Sequence, residues 1–397
     1  MGNATIVPNG CVVVEGETII AVGNYDLLAR SWANAEPVDC GGRLLMPGMV
    51  DSHTHGVFGA ARFAEQELRA AGVGYMEIAR RGGGIHASVR DVRARDEDEL
   101  FALAQSRVWR LAAHGTTTVE VKSGYGLTIE DELKLLRVIA RLREALPLRI
   151  VPTWLGAHEI PAESRATPGA RAAYVKMLIE EMLPLVAGQR LASFADVFCE
   201  PGVYTVGETR AILTAAREAG LALKLHADEL DTSHGAELAA EIGATSADHL
   251  AAISADGIRA LAGSSTVATL LPGTMLFLGR ERQAPARALI DAGAAVALAT
   301  DFNPGTSPTV NLPLMLTLGV SQLRMSVAEV VVAATVNGAA ALGLAGRVGQ
   351  LASGMSADLA LFDADDVREL PYWYGDRRCV GSWTRGKTCY PRDLHLS

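Results

Sequence analysis

The sequence contains few cysteines, and their spacing forms no framework. The 397 residues include five, an odd number. They are Cys11, Cys40, Cys199, Cys379 and Cys389. This usage excludes a small disulfide-built scaffold and is typical of reduced thiols in a cytoplasm. The first residues, Met-Gly-Asn-Ala-Thr, also lack the basic and apolar regions of a signal peptide, so we expect a cytoplasmic protein.

Basic charge is scarce as well. The chain has 36 Lys and Arg residues against 45 Asp and Glu residues, which gives a formal net charge of −9. An acidic chain without basic runs lacks the electrostatic footprint for nucleic acid or an anionic membrane, so we expect neither as a partner. Hydrophobic residues make up 49% and charged residues 20% of the chain, a balance that excludes intrinsic disorder.

Long apolar runs are also rare. The longest covers residues 330–346, which at about 17 residues is at the lower end of the membrane-spanning range. It contains Thr335, Asn337 and several glycines and is flanked by Glu329 and Arg347. We therefore expect a buried helix of a globular domain here.

What the sequence does contain is a repeated pattern of short apolar runs separated by helical segments. Eight such runs are residues 48–51, 116–122, 148–155, 196–199, 221–225, 245–247, 266–271 and 294–300. Continuous apolar strands between helices indicate a parallel sheet that is buried on both faces. Eight units in about 250 residues match a (β/α)₈ barrel, so the sequence predicts an α/β protein of this type.

One connecting helix can be predicted in detail. Thr128 followed by Asp131 is an N-cap pattern. An apolar stripe at helical spacing then follows, formed by Leu135, Val138, Ile139 and Leu142. Gly220, after the periodic segment 208–219, predicts the end of another helix.

The two ends of the chain have a different pattern. Residues 4–46 and 347–397 alternate in short pieces that predict β-hairpins, with Gly16 and Gly23 at turn positions. Neither end has enough apolar residues for a core of its own. We therefore predict two domains: a composite small β domain from residues 1–46 plus 347–397, and a barrel from residues 47–346.

The most informative residues for chemistry are His53 and His55, directly after the first predicted strand. Side chains at i and i+2 of a strand point to the same side, and catalytic residues of such barrels lie at this end of the strands. His158, His226, His249 and Asp301 end other predicted strands. Imidazole and carboxylate ligands suit Zn²⁺ or iron better than Mg²⁺ or Ca²⁺. The alternative for His158 or His249 is a polar residue that orients a loop.

At this point a family resemblance is visible. Residues 47–55, Pro-Gly-Met-Val-Asp-Ser-His-Thr-His, resemble a motif of the amidohydrolase superfamily, as do residues 357–363, Ala-Asp-Leu-Ala-Leu-Phe-Asp. This resemblance implies a TIM-like metal-dependent hydrolase barrel with a small β-sandwich domain formed by both termini. Longer motifs at residues 58–62, 121–128, 155–158, 224–229 and 299–308 are similar to those of the members that hydrolyse 4-imidazolone-5-propanoate.

The resemblance implies a reaction and a cofactor. The reaction is hydrolysis of the cyclic amide C–N bond of 4-imidazolone-5-propanoate to N-formimino-L-glutamate, a step of histidine degradation. The cofactor is one divalent metal per chain, Zn²⁺ or iron (Fe²⁺ or Fe³⁺). Its ligands would be His53, His55, His226 and Asp301. Members with two metals usually carry a lysine after the fourth strand, where this chain has Cys199-Glu200, and we interpret Lys122 as structural or as supporting the ligands.

The resemblance also implies roles around the metal. Asp301 and Glu229 would move protons, and His249 would donate a hydrogen bond to the developing oxyanion. Arg62 would bind the propionate as a bidentate cation. The other implied substrate contacts are Tyr125, His158, Glu229, Asn303, Gly305, Thr306 and, as a residue lining the pocket, Tyr75.

Among the positions that depart from the family pattern, two, Ala60 and Phe302, could alter the substrate preference. The alternative function is therefore a related mononuclear amidohydrolase or deaminase that acts on another cyclic amide or on an aminated heterocycle. A non-catalytic relative is a third reading, which the complete ligand set argues against. The expected partner is the small-molecule substrate, and the resemblance also suggests a homodimer.

Overall fold

The protein is described by a computed structural model over residues 4–165 and 167–391. Its centre is an eight-stranded sheet in which every paired strand is parallel to its neighbour. The strands are β4 (Met49–Asp51), β5 (Thr116–Lys122), β6 (Arg149–Ala157), β7 (Phe194–Cys199), β8 (Ala222–Ala227), β9 (Ser246–His249), β10 (Val267–Leu270) and β11 (Val296–Leu298). Each of the eight apolar runs forms one of these strands, so the predicted barrel is confirmed.

The sheet closes on itself just beyond the first and last strands. The backbone N–H of Asp301 donates to the carbonyl of His53 at 3.0 Å, and that of His55 donates to the carbonyl of Phe302 at 2.8 Å. This closure brings the segments after β4 and β11 together, although they are about 250 residues apart in the chain. Functional side chains that follow β4 and those that follow β11 therefore lie on the same rim of the barrel.

Helices are spread over the whole of the described chain, and most of them alternate with the barrel strands. They are α1 (Tyr25–Ser31), α2 (Phe63–Ala70), α3 (Tyr75–Arg80), α4 (Ile85–Ala94), α5 (Glu97–Ala112), α6 (Ile129–Ala145), α7 (Pro168–Met177), α8 (Leu183–Gly188), α9 (Val206–Glu218), α10 (Gly235–Glu241), α11 (Ala255–Ala262), α12 (Pro272–Phe277), α13 (Ala286–Ala292), α14 (Leu312–Ser321), α15 (Val327–Ala333), α16 (Val336–Ala340) and α17 (Glu369–Tyr372). A 3₁₀ turn lies at Ala162–Arg165, and a π-helical turn at Leu178–Met182 joins α7 to α8.

The two helix predictions are confirmed. Thr128 caps α6, because its side chain accepts from the backbone N–H of Asp131, and the predicted apolar stripe of this helix is buried. Helix α9 ends at Glu218, and Gly220 follows it with φ of +87°. A positive φ after a helix favours glycine, which has no Cβ to clash.

Both ends of the chain contribute to a second, antiparallel sheet. Its strands are β3 (Leu44–Pro47), β12 (Leu359–Phe362), β13 (Cys379–Thr384) and β14 (Lys387–Tyr390), in the order β14-β13-β12-β3. A hairpin of β1 (Gly10–Glu15) and β2 (Thr18–Asn24) packs Ile19 against Met355 and Ala357. The small β-sandwich part built from both termini is therefore confirmed.

One predicted turn in this hairpin was wrong. Gly16 does lie in the turn, with φ of +58°. Gly23, in contrast, lies inside β2 and pairs with Cys11, because the register that starts at the Gly16 turn continues to Asn24. The chain turns only after Asn24, whose side chain caps α1.

The apolar stretch 330–346 forms parts of α15 and α16 rather than one long helix. Thr335 separates the two, and Val330, Ala333 and Ala339 are buried. Within residues 4–165 and 167–391, every helix is too short or too polar to cross a bilayer.

Candidate metal centre and active-site cleft

Six side chains from different strand ends meet at one point on the barrel rim. His53 and His55 follow β4, His158 follows β6, His226 lies in β8, His249 ends β9 and Asp301 follows β11. These residues form three overlapping groups, and in each group one ligand atom from every residue lies within 4.8 Å of the others. The groups are His53, His226 and His249; His55, His158 and His226; and His53, His55 and Asp301. The structure therefore brings the predicted strand-end histidines and Asp301 together on one rim.

The four predicted ligands face one another closely. Asp301 Oδ1 is 3.6 Å from the Nε2 atoms of both His53 and His55. His226 Nε2 is 3.4 Å from His55 Nε2. All three contacts are somewhat longer than typical hydrogen bonds, and the atoms surround a common space.

Two carboxylates behind the histidines set which ring nitrogen carries the proton. Asp248 Oδ2 is 2.6 Å from His53 Nδ1, and Asp196 Oδ1 is 3.0 Å from His226 Nδ1. An ionised carboxylate only accepts, so the proton lies on Nδ1 and the Nε2 lone pair points to the centre. Sequence reasoning missed both acids as partners, although Asp196 is the one charged residue of the otherwise apolar strand β7.

These residues fit a divalent transition metal. His53 Nε2 is buried and has no hydrogen-bond partner among the residues that the structure describes. A buried nitrogen lone pair without a partner costs free energy, and coordination of a cation removes that cost. Three imidazoles and one carboxylate are also the donor set expected for zinc or iron.

Burial and nearby charges keep His53, His55 and His158 in the neutral form that binds metals. Burial, together with the nearby Lys122 charge, lowers the pKa of His53 well below its ordinary value. Burial and neighbouring imidazoles likewise lower the pKa of His55, and burial lowers that of His158 to about 3. Neutral imidazole is the ligating form.

Asp301 is constrained from several sides. Burial raises the pKa of its carboxyl to about 6, while a hydrogen bond from Thr274 Oγ1 to Oδ2, 2.6 Å long, opposes the shift. Its φ is +51°, and that of His249 is +80°, a left-handed conformation that non-glycine residues rarely adopt. Such strain is typical of functional sites, where surrounding contacts hold the backbone in place.

An open cleft of about 730 Å³ lies above this centre. Most of the predicted site residues line it: His55, Arg62, Tyr125, His158, His226, Glu229, His249, Asp301, Asn303 and Thr306. His53 lies beneath the cleft floor and is completely buried. Tyr75 begins α3, but its side chain lies outside the described residues.

Glu229 and His249 face each other at the cleft wall. Their Oε2 and Nε2 atoms are 3.6 Å apart, and only 11% of the Glu229 side chain is exposed. Burial, and then the charges of Asp301 and Glu200, raise the pKa of Glu229 well above its ordinary value. Glu200 holds this segment in place by accepting the backbone N–H of Glu229 at 3.1 Å and that of Asp231 at 2.7 Å.

The loop after β11 is organised by Asn303. Its Oδ1 accepts the backbone N–H groups of Gly305 and Thr306 at 2.8 and 2.7 Å, and its Nδ2 donates to the Asp301 carbonyl at 2.7 Å. Much of the Asn303 amide is thus used inside the loop. The loop in turn places Gly305 against Arg62.

The loop after β5 is organised by a buried acid. Glu132 Oε1 accepts backbone N–H groups from Gly124, Gly126 and Leu127, at 3.1, 2.8 and 3.0 Å. The carbonyl of Gly124 accepts from His158 Nδ1 at 2.9 Å, which leaves Nε2 of that ring as an acceptor. Tyr125 lies in the middle of this loop, so one carboxylate shapes the cleft wall that carries Tyr125 and His158.

Comparison with known proteins agrees with this geometry. The amidohydrolase family profile matches residues 44–388. The chain belongs to the amidohydrolase family. An imidazolonepropionase from Brevibacillus brevis is 47% identical over 379 residues, which cover 94% of this chain and 88% of that protein. An imidazolonepropionase from Solibacter usitatus is 44% identical over 393 residues, covering 99% of this chain and 93% of that one.

Solved structures support the fold of this amidohydrolase. A 5-methylcytosine deaminase from Klebsiella pneumoniae superposes with a TM-score of 0.73 at 18% identity, over 97% of this chain and 96% of that one. An adenosine deaminase from Xanthomonas campestris gives 0.69 at 18% identity, over 97% and 89%. At such identity the likeness extends to architecture alone, a barrel with a small β part.

The two departures from the family pattern lie away from the cleft of this amidohydrolase. The Phe302 ring is buried and packs edge-on against Phe58, with ring centroids 5.6 Å apart. Ala60 is exposed, and its backbone N–H donates to Asp91 at 2.7 Å. Neither is among the residues that line the cleft in the described part of the chain.

Six residues that line the cleft were not predicted as site residues, and one of them is a second arginine. Arg280 follows α12 and lines the cleft with Glu229 and Leu278. Arg280 lies between Gly279 and Glu281 in a polar loop, and this local sequence is the same as that of many surface arginines. Only the fold places a second guanidinium at the cleft.

Proposed function

We propose that this chain hydrolyses the cyclic amide bond of 4-imidazolone-5-propanoate and releases N-formimino-L-glutamate, in histidine degradation. Membership of the amidohydrolase family and the identity to imidazolonepropionases over almost the whole chain support the reaction class and the substrate. The observation that carries the proposal is the single cleft that holds both the histidine and aspartate centre and Arg62. A hydrolysable ring and a carboxylate on the same molecule require that combination.

We propose His53, His55, His226 and Asp301 as the ligands of one divalent metal, zinc or iron. When bound, such an ion lowers the pKa of water and polarises a carbonyl oxygen. The buried Nε2 atom of His53 and the carboxylates behind His53 and His226 support this choice. His158 and His249 lie within the same reach, and we assign them to the substrate rather than to the metal.

The chain's own acids and bases then handle protons. Because burial favours the protonated form of Glu229, this carboxyl can deliver a proton to the departing ring nitrogen, and its conjugate base can accept one from water. His249, 3.6 Å from Glu229, is placed to donate a hydrogen bond to the developing oxyanion. Asp301 offers a second proton acceptor at the centre.

The rest of the cleft holds the substrate. Arg62 supplies parallel N–H donors for the propionate carboxylate. Tyr125, His158 and Thr306 contribute polar groups around the ring and the newly formed carboxylate. Asn303 and Gly305 shape the loop that presents Thr306. Tyr75 remains a proposed lining residue.

We also propose the domain division at residues 1–46 plus 347–397 and 47–346, a homodimer and a cytoplasmic location. The pairing of β3 with β12 supports the composite domain. The five cysteines, all of them unpaired, are consistent with a reducing compartment.

Turnover of freshly prepared 4-imidazolone-5-propanoate tests the function. We expect loss of the ultraviolet absorbance of the imidazolone and formation of N-formimino-L-glutamate, identified by mass spectrometry. A metal-loaded sample that leaves this substrate intact but releases ammonia from a purine or pyrimidine would contradict the proposal and favour the deaminase alternative. A sample with bound metal and no turnover of any of these compounds would contradict both.

A further inference from the structure

A network of buried charges fills the barrel beneath the metal centre. It consists of two lysines, Lys122 and Lys224, and three carboxylates, Glu120, Asp196 and Asp248, and all five side chains are completely buried. Glu120 and Lys122 are i and i+2 on β5, so both point into the barrel. The proposed reaction uses none of these side chains directly.

Lys122 lies between the acids of this network. Its Nζ is 2.7 Å from Asp196 Oδ2, 2.8 Å from Glu120 Oε1 and 3.9 Å from Asp248 Oδ2. Asp196 and Asp248 are the two carboxylates that hold Nδ1 of His226 and His53. One ammonium group therefore faces both acids that orient the proposed metal ligands.

The position of Lys122 is itself restrained. Glu120 Oε1, which accepts from Lys122, also accepts from Thr153 Oγ1 at 2.5 Å, so the oxygen that binds the ammonium is itself held in place. Asp196 Oδ1 in turn accepts both the ring N–H and the backbone N–H of His226, at 3.0 and 3.2 Å. The chain of contacts from Glu120 to His226 contains no exposed member.

We infer that Lys122 is a positioning residue for the metal site, which fixes the orientation of His226 through Asp196. This inference rests on the proposed metal centre. Without Lys122, Asp196 would have no ammonium partner among the described residues, since Lys224 faces only Glu120 and Asp248. An unpaired buried carboxylate rotates towards another donor or takes up a proton, and either change loosens the imidazole that it holds.

Lys224 provides a matched control in the same network. It is as deeply buried, but its Nζ donates to the backbone carbonyls of Ser52 and Ala341, at 3.0 and 3.4 Å. Its Nζ is also 3.6 Å from Asp248 Oδ2 and 3.7 Å from Glu120 Oε1, and it has no contact with Asp196 among the described residues. Its removal therefore disturbs strand ends while the Lys122–Asp196–His226 connection remains.

The test compares Lys122→Met with Lys224→Met by zinc affinity of the metal-free protein, measured by competition with a chromophoric chelator. We expect Lys122→Met to bind zinc about 10–100-fold more weakly than wild type and Lys224→Met to stay within about threefold. The visible absorption of the Co²⁺-loaded protein should change for Lys122→Met only. Equal affinities of Lys122→Met and wild type, or equal losses in both variants, would overturn the inference.

A second comparison keeps the test decisive if Lys122→Met does not fold. Asp196→Asn and the double variant Lys122→Met/Asp196→Asn differ only in the lysine, and the double variant removes the ion pair as a whole, which is often tolerated. If Lys122 acts through Asp196, the two should bind zinc within about threefold of each other. A further loss of tenfold or more in the double variant would overturn the inference, whereas a wild-type chain that binds no zinc would instead contradict the metal site itself.

Discussion

The guanidinium of Arg62 lies directly on Gly305, in the space that a side chain at that position would fill. A Cβ atom at Gly305 would be 1.2 Å from Arg62 Nη2 and 2.2 Å from Cζ. The two residues are 243 positions apart and meet only because the segments after β4 and β11 join at the barrel closure. The absence of a side chain at Gly305 is what allows Arg62 to lie at the wall of the cleft.

Gly305→Ala should therefore displace Arg62 and spare the fold, since the atoms that the methyl group meets are the far end of a flexible side chain. We expect KM for 4-imidazolone-5-propanoate to rise by about 10–100-fold with kcat within about threefold, because a displacement of about 1 Å is enough for losses of this size. Steady-state kinetics measure both. The control is Gly207→Ala in α9, where only Thr205 Oγ1 lies within 4.0 Å; equal kinetics of the two variants would contradict this account.

Arg62→Met tests the carboxylate contact itself. Two hydrogen bonds to a charged group are lost, so kcat/KM should fall by about 10²–10³, mainly through KM. Arg62→Lys should restore the charge but not the parallel N–H pair, and should recover the activity only in part. An analogue without the propionate carboxylate should be hydrolysed equally by wild type and Arg62→Met; a wild-type rate of Arg62→Met at low concentrations of the true substrate would refute the role of Arg62.

Glu229→Gln tests proton transfer. The amide is close in size but neither donates nor accepts a proton in the same way, so kcat should fall by about 10²–10⁴ with little change in KM. Metal content, measured by plasma emission, should stay at the wild-type level, since Glu229 is outside the proposed ligand set. Glu281→Gln, an exposed acid close to the same cleft, serves as the control, and a kcat of Glu229→Gln close to wild type would remove Glu229 from the mechanism.

Glu132→Gln tests how the cleft wall is shaped. The new amide would place an N–H group against backbone donors from Gly124, Gly126 and Leu127, all of which now point at the carboxylate. We expect a loss of about 1–3 kcal/mol in the free energy of unfolding and a raised KM, because Tyr125 and His158 depend on this loop. Glu130→Gln, two residues earlier on the exposed side of α6, should change neither quantity. A variant that is destabilised but has wild-type KM would show that the loop serves stability alone.

Removal of the metal should affect both activity and stability. A chelated sample should lose turnover and unfold at a lower temperature, because a ligand that binds only the folded state stabilises it, by about 2.7 kcal/mol at 100 times Kd. Zinc or ferrous iron added back should restore both, and elemental analysis should find one ion per chain. Two ions per chain would contradict the proposed single-metal site.

Parts of this architecture could be predicted because they depend on local pattern. The β5 strand was predicted at its observed bounds from an apolar run alone, and the cap at Thr128 from two residues. His53 and His55 could be assigned to one face because the side-chain period of a strand is two. Gly23 was misassigned since a glycine inside a paired strand has the same local sequence signal as one in a turn.

The partners of these residues could not be predicted in the same way. Asp248 and His53 are separated by 195 positions, and His226 and Asp196 by 30, so no local period connects them. Arg280 has the sequence surroundings of a surface residue, and Lys122 was recognisable only as a charge within a strand. Each of these assignments depends on which strand ends meet at the rim and on what lies beneath it.

By itself, the sequence determined the α/β barrel, the residue types at the strand ends and the family, because strand period, helix period and contiguous motifs are properties of neighbouring residues. Only the tertiary structure decided that Asp196 and Asp248 hold the ligating imidazoles, that Lys122 faces both acids, and that Arg62 lies on Gly305. The physical reason is the closure of the barrel, which converts long separations along the chain into hydrogen-bond distances across its interior.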